Sequence, residues 1–285
     1  MRNLNKKWEL PLFFILTFSI TILCAVIYNL LGWYLFNINN LSFGPGILWF
    51  FMIFSPTLSA ILLTFIFRGR AATIELLKHY IKFKVKWTWY VAAALLILVP
   101  LIVSLILSLL QIGGGIGPDP ELTLISFLAW LVYNFFSGPF AEEGGWRGYA
   151  LPRLQAKFNS TIASLILAFI WIVWHIPLVL VLGADQAAFT AFAWMIYSIL
   201  CISITIVLTW LYNNTKGSLV ITILAHYAFN VGSNITIYLL GLVNYTFYSI
   251  IGGVSGVIYL GIIFIGFGYK RFSKLPESEL PIITS

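Results

Sequence analysis

Eight stretches of this chain are apolar over about the 20 residues that a helix needs to cross a lipid bilayer. They cover residues 10–36, 47–67, 88–112, 124–140, 161–182, 187–211, 219–240 and 250–269. Lipid offers a backbone no water to bond with, so only helices or closed barrels survive there. The alternation of a lipid-facing barrel strand is absent, which leaves helices. The expectation is an all-α fold, a polytopic membrane helix bundle with about eight transmembrane helices. A chain that is 61% hydrophobic and 9% charged lies far outside the range of soluble domains.

Basic residues then set the orientation. With eight spans and the N-terminus inside, every Lys and Arg falls on one side. Arg2, Lys6 and Lys7 precede the first span, and Arg68, Arg70, Lys78, Lys82, Lys84 and Lys86 separate the second from the third. Arg147, Arg153 and Lys157 follow the fourth, Lys216 follows the sixth, and Lys270, Arg271 and Lys274 follow the last. The opposite side holds Asp119, Glu121 and Asp185. This asymmetry is the positive-inside pattern, so both termini are expected in the cytoplasm. The net charge of +7 is then a topology signal and calls for no nucleic-acid partner. The first apolar run is too long for the core of a signal peptide and is read as a retained span.

Connections are short, and residues 1–285 read as a single integral-membrane domain. The longest loop, 68–87, has the pattern of a basic amphipathic helix on the anionic inner leaflet, with Ile74, Leu77, Tyr80 and Ile81 on its apolar side. His79 belongs to that surface. Residues 113–117, with Pro118 and Pro120, read as an external turn. Pro139 and Pro177 fall near span ends and can bend their helices. Gly252 and Gly256, four apart, suit close helix packing. Cys24 and Cys201 lie within spans as small packing residues.

Against this apolar background the ionisable groups inside spans demand a reason, because charge at membrane depth is costly and tends to face a polar cavity. Three polar groupings occur in order. In Glu142-Glu143-Gly-Gly-Trp-Arg147 the second carboxylate and the arginine are four apart and can pair on one helix face. Glu142 is rotated about 100° from its neighbour and can stay free of that pair. A carboxylate without a cation in a poorly hydrated cavity suits proton abstraction from water. Trp171-x-x-x-His175 follows in the fifth span. His226-x-x-x-Asn230 in the seventh places two polar side chains on one face, where both could donate to a common oxygen. Taken singly, each grouping also fits a structural role: an interfacial charge cluster, or a polar side chain bonding between helices.

Together the three resemble the motifs of the CPBP intramembrane proteases, the Rce1-like group of CAAX-processing and bacteriocin-processing proteins. That family's pattern is E-E-x-x-x-R, then F-x-x-x-H, then H-x-x-x-N, and Gly145-Trp-Arg-Gly-Tyr-Ala-Leu-Pro-Arg-Leu154 resembles its usual continuation. Here Trp171 stands where the family more usually has Phe. The resemblance covers residues 124–240, which would form the catalytic core. It implies an intramembrane endopeptidase in which Glu142, assisted by His175, activates water. His226 and Asn230 would stabilise the oxyanion, and Glu143 with Arg147 would hold the geometry. The implied substrate is a membrane-associated peptide or protein, of the prenylated CAAX type in some members.

A metal-free general-base site is the preferred expectation, since H-E-x-x-H is absent. If zinc takes part, Glu142, His175 and His226 are its candidate ligands. The alternatives are a non-proteolytic bacteriocin self-immunity or scaffold protein, and a small proton-coupled transporter. The expected location is a prokaryotic plasma membrane, with the site open toward the cytoplasm. One geometric tension accompanies the predicted boundaries. They leave Glu142 near the cytoplasmic end of the fourth span and His175 deeper in the fifth. The two meet only if boundaries shift, helices tilt, or the Gly144-Gly145 stretch stays helical and embedded.

Overall fold

The computed structural model describes residues 6–33, 43–110, 123–240 and 245–282. Among them the chain is helical, with no sheet. In order the helices are α1 (Glu9–Leu30), α2 (Phe43–Lys78), α3 (Trp87–Leu95), α4 (Leu98–Leu109), α5 (Leu124–Phe135) and α6 (Ala141–Gly145). They continue as α7 (Leu151–Gln155), α8 (Ser160–His175), α9 (Ala191–Asn214), α10 (Leu219–Leu240) and α11 (Tyr245–Phe267). The predicted external turn at 113–117, with Asp119 and Glu121, lies outside the described residues.

By length and composition seven helical stretches can cross a membrane: Glu9–Leu30, Gly44–Ile81, Trp87–Leu107, Leu124–Gln155, Ser160–Leu180, Ala191–Asn214 and Ile250–Phe267. The expected count of about eight is thus seven among the described residues. In α10 the stretch Leu219–Gly232 is a shorter apolar helix. This is a polytopic helix bundle, and a multi-pass membrane protein. Its outer faces carry exposed Leu, Ile and Phe, as lipid contact requires.

The largest departure from the sequence reading concerns the fourth span. It does not stop at residue 140 but runs from Leu124 to Gln155. Two π-helical turns, Phe136–Phe140 and Trp146–Ala150, interrupt its α-helical pitch without breaking it. Gly144, Gly145 and Gly148 would each weaken a helix in water by about 1 kcal/mol relative to alanine. In a bilayer the backbone has no alternative partner, so the helix persists. Arg147 and Arg153 are therefore not loop residues: both are buried inside the protein, and only Lys157 of that trio is exposed.

The glycines serve a second purpose. A Cβ on Gly145 would stand 2.4 Å from the Pro56 backbone of α2, and one on Gly144 would stand 2.0 Å from the Tyr80 hydroxyl. Their bare backbones let α6 seat against α2. Gly145→Ala is accordingly expected to destabilise the protein by about 1–3 kcal/mol, the usual cost of overpacking. Thermal unfolding in detergent checks this, and an unchanged midpoint would contradict the packing argument. The same logic holds for Gly252 and Gly256, whose absent side chains make room for Leu200 and Ser203 of α9.

At one end of the bundle polar contacts gather the basic segments. Glu9 accepts from Arg68 at 3.0 Å and from Arg153 at 2.8 Å, tying α1, α2 and α7. Lys82 donates to the Lys216 carbonyl, and the Ser160 backbone N–H donates to Lys270. Gln155, Asn213 and the Arg271 carbonyl join the two groups. Past Gly69, whose positive φ of 78° bends the chain, α2 buries Thr73 and Leu76 and turns Ile74 and Leu77 outward, and Ile81 in the 3-10 turn that follows is exposed too. Tyr80 leaves the expected outward face and bonds Thr57. His79 is likewise engaged, meeting the Gly217 carbonyl through Nδ1. Cys24 and Cys201 are buried free thiols, as expected of packing residues.

Candidate active site

Extension of the fourth span removes the depth mismatch. Counting 1.5 Å per residue, Glu142 lies about 20 Å from the Gln155 end, and His175 about 22 Å from the Ser160 end of the returning helix. The turn between them is short, and Asn159 caps α8 by accepting from the Ile162 N–H at 3.0 Å. Two antiparallel helices joined in this way bring the two side chains level. Trp174 fixes the hairpin against the rest of the bundle, donating through Nε1 to Thr21 of α1 at 2.8 Å.

Within this frame Glu142 and Glu143 part company. Glu143 is fully buried, and its Oε1 accepts from Arg147 Nη1 at 2.7 Å and meets His226 Nδ1 at 2.9 Å. The arginine is also fully buried; it reaches Thr205 of α9 with Nη2 at 3.4 Å and lies 4.9 Å from the centre of the Trp171 ring. The predicted i,i+4 pair is present, and the histidine joins it. Glu142 points elsewhere: its Oε2 accepts from Trp171 Nε1 at 2.7 Å. Its other oxygen lies 3.6 Å from the point where a Cβ on Gly138 would be, and Asn230 Nδ2 lies 3.7 Å from that same point. The carboxylate oxygen and the amide nitrogen thus both lie within van der Waals reach of one point beside Gly138.

In both histidines Nδ1 faces an oxygen that only accepts. Nδ1 of His175 lies 2.7 Å from the Trp171 carbonyl. A carbonyl only accepts, so Nδ1 carries hydrogen and Nε2 of the neutral ring is left as the basic nitrogen. Its imidazole is held among Trp171, Trp174 and Tyr197, with ring centres 4.9–5.5 Å away. His226 bonds the Glu143 carboxylate through Nδ1, which leaves Nε2 for another partner, and its ring stands perpendicular to Trp171 at 5.4 Å.

All six side chains singled out in the sequence (Glu142, Glu143, Arg147, His175, His226 and Asn230) therefore belong to one cluster built from three helical segments. The aromatic at position 171 touches four of them. Sequence reasoning treated Trp171 as a bulky replacement for Phe and overlooked its N–H. Gly138, Thr205 and Tyr197 were also missed. Only the tryptophan carried a visible signal, a donor where a hydrocarbon ring is usual. As for zinc, Glu142 is bonded to an indole while His226 is turned onto Glu143, and no group of three or more His, Cys, Asp or Glu side chains among the described residues is arranged to hold a metal ion.

Part of the chain is similar to known proteins. Residues 124–232 match the family described as type II CAAX prenyl endopeptidase Rce1-like. A protein of Methanococcus maripaludis named CAAX prenyl protease 2 is 27% identical over 132 residues, 45% of this chain and 46% of that protein. The chain therefore spans about half the length of the relative it matches. The matched region holds every member of the cluster.

Proposed function

We propose, starting from the family-level match of this membrane protein to the Rce1-like peptidases across residues 124–232, that it is an intramembrane endopeptidase acting on membrane-associated peptides or proteins. The observation that carries the reading is the convergence of Glu142 and Asn230 on the space beside Gly138. A general base and an oxyanion donor must face a common reacting atom, and the nearness of these two groups to one point supports that reading.

In this reading Glu142, with Nε2 of His175 as its partner, takes a proton from water. The hydroxide attacks the peptide carbonyl carbon; Asn230 Nδ2 donates to the oxygen that gains charge, and His226 Nε2 does so with its ring doubly protonated, Nδ1 donating to Glu143. Glu143 holds His226 by its far nitrogen, and Arg147 balances the charge of Glu143. Collapse of the tetrahedral intermediate breaks the carbon–nitrogen bond. The proton held by Glu142 goes to the departing amine, so one water is consumed and no further reactant is needed.

The end of the bundle that gathers Arg68, Lys82, Lys216 and Lys270 faces the cytoplasm in this proposal, with both termini there, in a prokaryotic plasma membrane. Basic groups at that end would draw substrates held near anionic lipid. A prenylated CAAX-type substrate is the first to try, given the name carried by the relative. Purified protein in liposomes is expected to cleave a membrane-tethered peptide and, in water labelled with heavy oxygen, to place one label in the new carboxyl terminus. Absence of that label would overturn hydrolysis. Exhaustive chelation is expected to leave turnover unchanged; full loss restored by zinc alone would overturn the metal-free mechanism.

A further inference from the structure

Among the described residues, the Trp171 side chain reaches Glu142, Arg147 and His226. Its indole N–H donates to Oε2 of Glu142 at 2.7 Å. Its ring lies under the Arg147 guanidinium at 4.9 Å and against His226 at 5.4 Å. Its backbone carbonyl, independent of side-chain identity, accepts a hydrogen bond from His175 Nδ1. The residue is buried, so the indole donor lies away from bulk solvent.

A carboxylate on a flexible stem has two equivalent oxygens and several rotamers. With one oxygen bound to a fixed indole, the other is confined to the side of the space beside Gly138 and Asn230. The hydrogen bond therefore decides which oxygen faces the water. A phenylalanine at this position has no polar hydrogen and could fill the space but not orient the carboxylate.

We propose that Trp171 is the positioning residue for Glu142, a task performed through its indole N–H; the catalytic half of this rests on the peptidase reading. It touches no substrate. Its effect passes through the carboxylate that it holds.

The test separates the donor from the ring. Trp171→Phe keeps an aromatic ring and leaves the backbone carbonyl for His175. Benzothienylalanine at position 171 keeps the full bicyclic shape and replaces N–H by sulfur, which covers the case in which the smaller ring folds poorly. With a membrane-tethered peptide in liposomes, both variants are expected to lose about 10- to 100-fold in kcat, the scale of a misplaced catalytic group. KM should stay within about twofold, because ground-state binding is not what the bond supplies. In protein labelled at tryptophan, the Trp171 indole proton resonance, identified by its disappearance in Trp171→Phe, should move upfield in Glu142→Ala. Wild-type kcat in the sulfur variant, or an indole resonance indifferent to Glu142→Ala, would overturn the proposal. Failure of the wild-type protein to cleave, with the indole response intact, would overturn the peptidase reading while upholding the contact.

Discussion

Glu142→Gln is expected to lower cleavage of a membrane-tethered peptide by about 10²- to 10⁴-fold, the contribution typical of a positioned general base. The substitution suits the question because the amide oxygen can still accept the Trp171 N–H, so the buried contact at 2.7 Å need not be lost. Its nitrogen cannot take a proton from water. Folding should be unaffected, with the same thermal midpoint and the same elution in detergent. The neighbouring carboxylate is committed elsewhere: Glu143 is fully buried, and its Oε1 accepts from Arg147 and meets His226. Turnover kinetics in liposomes beside a thermal melt decide the matter, and undiminished turnover in a well-folded variant would count against the assignment.

Arg147→Met is expected to show the opposite profile, a loss of the fold rather than of one chemical step. Both members of the Arg147–Glu143 pair are fully buried at 2.7 Å. Removing the cation strands a carboxylate away from water, at a cost of about 3–5 kcal/mol. His226 remains at 2.9 Å but is one weak partner in place of a guanidinium. Removing both charges in Arg147→Met with Glu143→Gln should cost less than the sum of the single changes, because no uncompensated charge remains. Thermal unfolding of the two single variants and the double variant measures that coupling. Strict additivity would show that the pair does not act as a unit.

Much of this architecture was legible in the order of residues, for reasons that can be named. Span-length apolar runs leave a chain few choices, and the bundle followed. The i,i+4 spacing of Glu143 with Arg147, and of His226 with Asn230, identified groups on common helix faces. What escaped were effects of the environment. Glycines and charges after residue 140 end a helix in water, yet in lipid the helix continues to Gln155 because its backbone has nothing else to bond. That single extension moved Arg147 and Arg153 from a loop into the interior. It also lifted Glu142 from the end of a span to the depth of His175. The turn of His226 onto Glu143, and the indole bond to Glu142, depend on contacts between distant helices. No local pattern encodes those.

Cells expressing the wild-type protein and cells expressing Glu142→Gln offer the most direct test of the central claim, through comparison of the peptide termini in their membrane fractions. The account predicts new C-termini and N-termini, at matched positions in a defined set of membrane proteins or peptides, only where Glu142 is intact. Identical termini in the two membranes, with both proteins present at equal level and folded, would contradict it.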